Sequence, residues 1–190
     1  TRYIRKRRAA IAALIINKNK IFMNPQEIIY RTATGAGIPP KLAELMVAQA
    51  KHETGNFTSN FFKNFNNAFG YSYVRGAKWQ LPDPGTLADN KLPIAKYRSL
   101  VESTMEVVDW IKRRQEGGKF PADLSTIQTP EQYARLLKDA GYYGDTFENY
   151  SRTLRRFFDA GLTIATSTEG MTIAGIAIIG GIIYYLATDK

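Results

Sequence analysis

The segment from Pro39 to Phe57 constrains the fold of this chain more than any other. Pro39 and Pro40 open a helix whose apolar positions Leu42, Leu45, Met46 and Ala50 keep helical spacing, so one face must be buried. Glu53 falls one turn beyond Gln49 on the flank of that face, and Gly55 supplies a natural C-cap. A carboxylate in the last turn of a helix sits at the negative end of the helix dipole, which disfavours its charge. Phe57, Phe61 and Phe65 follow closely and offer desolvation, which acts in the same direction. A carboxyl in that setting can hold its proton near neutral pH and deliver it to a leaving group.

The flanking sequence reads as more helices. Asn24-Pro-Gln-Glu27 is a helix start, with Asn24 as N-cap, Pro25 in the first turn and Glu27 closing a capping box; this helix stops near Gly35-Ala-Gly37. Ser99 and Glu102 form a second capping box before Leu100, Met105, Val108 and Ile111, with a stop at Gly117-Gly118. Thr129-Pro-Glu begins the next helix, carrying Tyr133, Leu136, Leu137 and Ala140. Asp145 and Glu148 cap a last amphipathic helix through Tyr150, Leu154, Phe157 and Phe158. From Asn56 to Leu100 the periodicity is lost. Tyr71–Val74 and Ala77–Leu81 suggest a small hairpin turning at Arg75-Gly76, and Pro82, Pro84 and Pro93 make the remainder a loop.

The ends of the 190-residue chain differ from its middle. Of a net charge of +9, seven positive charges lie before the first acid, Glu27, which leaves 19 Lys and Arg against 17 Asp and Glu. The result is a nearly balanced domain with a basic arm, suited to phosphate-bearing or other anionic partners. Arg5-Lys-Arg-Arg8 is joined to the apolar run Ala9–Ile16, but Asn17-Lys-Asn-Lys20 follows where a cleavable signal would carry small residues. Eight apolar residues are too few to span a bilayer, so residues 1–23 read as an arm that lies on a membrane or docks on an assembly partner. At the other end nineteen residues, Gly170–Thr188, carry no charge, and Tyr184 and Tyr185 sit where an aromatic belt would. A C-terminal transmembrane helix over residues 171–187 is the expectation, with a bilayer as its partner. With no cysteine and a single histidine, no metal or other cofactor is expected. The lack of a basic stripe beyond residue 20 argues against nucleic acid as a partner.

Four motifs occur in one order. They are Ala48-Gln-Ala-Lys-His-Glu-Thr-Gly-Asn-Phe57, then Asn66-Asn-Ala-Phe-Gly70, then Tyr97-Arg-Ser-Leu-Val-Glu-Ser103, then Ala140-Gly-Tyr142 with Asp145 and Tyr150. Together they resemble the glucosaminidase-type peptidoglycan hydrolases of glycoside hydrolase family 73, in the lysozyme superfamily, over roughly residues 25–160. The resemblance implies a mainly α (α+β), lysozyme-like fold with a small β-hairpin lobe and a glycan-binding cleft. It also implies hydrolysis of the β-1,4 glycan backbone of the bacterial cell wall. Glu53 matches the family's catalytic acid. Asn66, Asn67, Phe69 and Gly70, with Tyr71 after them, match the turn that shapes the cleft floor and binds substrate. Tyr142 matches a tyrosine that lines the cleft and is a further catalytic candidate, placed to hold the sugar N-acetyl group or steady a reacting water.

The chain departs from the family in the lobe, where many members carry a second carboxylate as base. Trp79–Asp89 offers only Asp83 and Asp89, of which Asp83 is the candidate. Two carboxyls about 6.5–9.5 Å apart would invert and two about 5–5.5 Å apart would retain, and the sequence supplies no such distance. A lytic transglycosylase using the single Glu stays open, as does a non-catalytic structural or docking protein with the same fold. The domain plan is an arm at 1–23, a glucosaminidase domain at 24–160, and a linker with membrane anchor at 161–190. An export signal being absent from that plan, it suits an enzyme carried in the virion membrane of a phage, or otherwise in the bacterial envelope.

Overall fold

In the computed structural model, which describes residues 24–88, 92–162, 176–179 and 182–185, the helix expected after Pro39 is the centre of the domain. The helices are α1 (Pro25–Gly35), α2 (Pro40–Thr54), α3 (Asn60–Phe65), α4 (Leu100–Glu116), α5 (Pro130–Asp139) and α6 (Phe147–Asp159), with a 3-10 turn at Leu124–Thr126. Nearly the whole circumference of α2 is buried, from Leu42, Leu45 and Met46 round to Val47, Gln49 and Ala50. A helix apolar on most of its faces must be surrounded by others. α1 and α6 pack directly on α2, α5 packs on α6, and α4 closes the other side of α1. Each fully buried Leu or Met contributes about 1.5–3 kcal/mol of transfer energy. Truncating Leu45 to Ala would therefore cost about 2–5 kcal/mol, cavity included.

Local chemistry sets the helix ends. Asn24 Oδ1 accepts from the Glu27 amide at 3.0 Å, and Ser99 accepts from the Glu102 amide at 3.3 Å, so both N-caps form. Neither expected box closes: Glu27 binds Arg31, and Glu102 accepts from the Arg98 amide. Thr129 and Gln132 make a reciprocal capping box at the start of α5. For α6 the expected cap is displaced by one residue. Thr146, not Asp145, accepts from the Asn149 amide, while Asp145 bonds the Thr146 amide at 2.6 Å and so fixes the approach to the helix. Helix α3 was not expected. Ser59 caps it, and Asn66 ends it in the left-handed region at φ 52°.

The lobe between α3 and α4 corrects the expected hairpin. The turn at Arg75-Gly76 is present, with the Ala77 amide bonding the Val74 carbonyl at 3.1 Å. The segment Ala77–Leu81 does not pair with Tyr71–Val74, however. The Gln80 side chain takes its place, accepting from the Val74 amide at 2.7 Å and donating to the Ser72 carbonyl at 3.3 Å. A single amide group here mimics a strand's peptide. The backbone of Tyr71–Tyr73 pairs with Pro93–Ala95 instead, as an isolated bridge at Ser72 and Ile94. Prolines at 82, 84 and 93 remove the donors that a longer ladder would need.

The expected C-terminal transmembrane helix is also corrected where the structure describes it. Ile176–Ile179 and Ile182–Tyr185 are antiparallel strands β1 and β2, paired from Ile176 with Tyr185 to Ile179 with Ile182. The isoleucine-rich runs Ile176–Ile179 and Ile182–Tyr185 carry β propensity, which outweighs the apolar length that suggested a helix. No helix among the described residues is long and apolar enough to cross a membrane. The rest of 171–187, and the arm 1–23, lie outside the described residues.

Candidate active site

Glu53 occupies the last turn of α2. Beyond it Gly55, Asn56 and Phe57 all adopt left-handed backbone, at φ 56°, 59° and 65°. A bulky residue rarely takes that conformation without support. Thr54 supplies it: its buried hydroxyl donates to the Ala50 carbonyl at 2.6 Å and accepts from the Phe57 amide at 2.8 Å. The sharp exit leaves the Glu53 carboxyl facing the Asn66–Gly70 turn.

That turn is built by its own asparagines. Asn67, 2 % exposed, donates to the carbonyls of Tyr71 (2.8 Å) and Ala95 (3.1 Å) and accepts from the Tyr71 amide (3.1 Å). Asn66 donates to the Tyr97 carbonyl at 3.1 Å. The Ala68 amide donates to Ser103 on α4 at 3.2 Å, which gives the Tyr97–Ser103 motif its purpose. Phe69 is buried. Gly70, at φ 66°, brings the backbone against the acid: a Cβ there would stand 3.3 Å from Glu53 Oε2. The side chains of Asn67 and Phe69 are thus part of the frame, and the backbone offered beside Glu53 is that of Gly70.

Around the carboxyl the structure gathers phenols from distant segments. The Tyr150 hydroxyl, from α6, donates to Glu53 Oε1 at 2.8 Å. The Tyr150 ring is stacked on Tyr143 at 3.7 Å and meets His52 edge-on at 4.6 Å. Burial, and then the nearby Glu53 charge, raise the pKa values of Tyr133, Tyr142 and Tyr150. Tyr133 in turn donates to the buried Gln49 Oε1 at 2.7 Å, one turn before Glu53. Burial pushes the Glu53 carboxyl up to about 7, and the Tyr150 hydrogen bond opposes part of that rise. Glu53 has no ion-pair partner among the described residues. Of the phenylalanines expected near it, Phe57 lies on Phe62, Phe61 on Phe65, and Phe65 against Gly85.

The remaining sequence candidates separate. Tyr142 donates its hydroxyl to the Phe69 carbonyl and packs edge-on against Tyr71 (5.9 Å) and Trp110 (5.4 Å). It therefore ties the start of the loop after α5 to the Asn-Asn turn. The Tyr71 hydroxyl is buried without a hydrogen bond among the described residues. Asp83 stands on the exposed part of the lobe, ion-paired with Lys96, which holds its carboxyl below the usual range. Asp89 lies outside the described residues. Glu106, which the sequence did not single out, accepts from Tyr97 (2.6 Å) and Gln80 (2.8 Å) and fastens the lobe to α4. No three His, Asp or Glu side chains converge as a metal site among the described residues.

A profile of the glucosaminidase family, described as mannosyl-glycoprotein endo-β-N-acetylglucosaminidase, matches residues 26–162. Among solved structures, a peptidoglycan hydrolase from Sphingomonas sp. A1 is similar at 20% identity and TM-score 0.51, over 75% of this chain and 94% of that one. That likeness supports a mainly helical, lysozyme-like fold with few strands. A type VI secretion system effector-immunity complex from Pseudomonas protegens matches at 19% identity and TM-score 0.48, over 70% of this chain and 84% of that one, too low to carry weight. No curated protein sequence matches the chain.

Proposed function

The chain belongs to the glucosaminidase family of glycoside hydrolases, and from that premise we propose that it cleaves the β-1,4 glycan backbone of peptidoglycan with Glu53 as general acid. The observation that carries this reading is the carboxyl of Glu53, enclosed so that its pKa rises to about 7 and aimed by Tyr150 and Gly70. A protonated carboxyl in that position can protonate the bridging oxygen as the glycosidic bond breaks. The phenols beside it exclude water without adding a second negative charge. Gly70 and Tyr71 form the cleft surface next to the scissile bond, Asn66, Asn67 and Phe69 hold that surface in place, and Tyr142 braces it.

Glu53 is surrounded by phenols while Asp83 is held by Lys96, and this favours a mechanism in which the substrate supplies the second group. In that mechanism the carbonyl oxygen of the substrate's own N-acetyl group attacks the anomeric carbon as Glu53 protonates the leaving oxygen, and water then opens the cyclic intermediate. Asp83 as base is the alternative, and Asp83→Asn tests it. Mass spectrometry of fragments released from purified peptidoglycan separates the outcomes. Reducing N-acetylglucosamine ends support the proposal, reducing N-acetylmuramic acid ends mean a muramidase, and anhydro-muramic ends mean a transglycosylase. No fragments at all would favour a non-catalytic docking protein.

The proposal extends to location. The basic arm before Glu27 and the uncharged run Gly170–Thr188 support association with a bilayer, as in the virion membrane of a phage or a bacterial envelope. Flotation of the full chain with lipid vesicles tests it, and a chain that stays with the soluble fraction contradicts it.

A further inference from the structure

Helix α2 has a second working face. At about 100° per residue, Lys41, Glu44, Val47, Ala48 and Lys51 lie on the side turned away from Glu53. Against them Phe157, Phe158, Gly161 and Leu162, at the end of α6 and just beyond it, line a half-open cavity of ≈ 290 Å³. Lys51 lies in its wall, 5 % of the residue exposed, and its ammonium donates to the Gly161 carbonyl at 3.1 Å. An ammonium has three donors, so two remain for an occupant. Lys41 pairs with Glu44 at 3.0 Å and lies 4.4 Å from the centre of the Phe158 ring. Arg156 lies 4.8 Å from the centre of the Phe157 ring at the same end of α6. The charged groups lining the cavity are Lys41, Lys51 and Glu44, a net charge of +1, and the rest of the wall is largely apolar.

We propose that this cavity docks an anionic phospholipid, with its phosphate on Lys51 and Lys41 and the start of its acyl stem against Phe157, Phe158 and Leu162. The inference rests on the membrane association proposed above. Charge complementarity selects an anion, and the apolar wall selects one that carries a hydrocarbon stem. Burial lowers the pKa of Lys51, a cost that a bound anion offsets. Leu162, which lines the cavity, stands eight residues before Gly170, where the uncharged run begins. The cavity therefore lies at the end of the domain from which the chain's most apolar stretch departs. A free phosphate would gain nothing from the two phenylalanines and the leucine.

The test floats the full chain with phosphatidylcholine vesicles, with and without phosphatidylglycerol. The wild type should bind the anionic vesicles more tightly, and Lys51→Met and Lys41→Gln should each weaken that binding about fivefold. Binding to phosphatidylcholine and cleavage of peptidoglycan should be unchanged in both. If Lys51→Met does not fold, Lys41→Gln at the rim and Phe158→Ser decide the matter. Equal binding to both vesicle types, or variants that keep the anionic preference, would overturn the cavity inference alone. Competition by inorganic phosphate as effective as that by a short-chain phosphatidylglycerol would mean a free-anion site and also overturn it. A wild type that binds neither vesicle would overturn the membrane reading, and the docking inference with it.

Discussion

The hydroxyl of Tyr150 donates to Glu53 Oε1 at 2.8 Å across 97 residues of sequence. This bond favours the ionised carboxylate, whereas burial favours the protonated acid and is the larger effect. Tyr150→Phe removes the opposing bond, so the Glu53 pKa should rise further, by about one unit. In a pH–rate profile the alkaline limb should move to higher pH while kcat falls from looser positioning. A profile that stays in place would mean that Tyr150 is only a packing residue.

Stability should carry the same signature. The folded-state pKa of Glu53, about 7, stands above the ordinary value of 4.5, so the folded protein binds the proton more tightly than the unfolded chain. The stabilisation is fully present below pH 4.5 and is lost as pH rises to about 7. Across that window urea unfolding should show a decline on the order of 2–3 kcal/mol from this group. Glu53→Gln should remove this contribution and leave a flatter curve.

Gly70 combines a left-handed φ of 66° with a close backbone approach to the acid. Gly70→Ala should cost about 1–2 kcal/mol of stability from backbone strain. It should also push Glu53 Oε2 aside. The loss of kcat should therefore exceed what the fall in folded fraction explains, measured at a temperature where both proteins are folded.

Asn67 should behave as a framework residue. Asn67→Ala deletes three hydrogen bonds within a buried turn, and the expected loss is roughly 2–4 kcal/mol. Urea unfolding should show a lower midpoint with an unchanged slope. Asn67→Asp keeps the acceptor for the Tyr71 amide but turns a carboxylate towards two carbonyl oxygens, so it should not rescue.

How far the sequence could be read depended on the range of the interactions. Helix α2, its Gly55 cap and the position of Glu53 follow from spacing within one helix, and the Asn24, Ser99 and Thr129 starts follow from three-residue capping patterns. Tyr150 was visible as part of a motif, but its bond to Glu53 depends on how α6 crosses α2, which no periodicity records. The Gln80 side chain standing in for a strand, and Glu106 fastening the lobe, are likewise tertiary facts. At the C-terminus length and hydrophobicity suggested a helix, while the isoleucines flanking Gly180-Gly181 carried the competing strand signal.

The most direct test of Glu53 as general acid compares the wild type with Glu53→Gln on purified peptidoglycan at pH 6, with both proteins shown to be folded. Release of soluble glycan fragments should fall by about 10²–10⁴-fold in the variant, the range expected for loss of a general acid. Equal rates of release from both proteins would contradict the account.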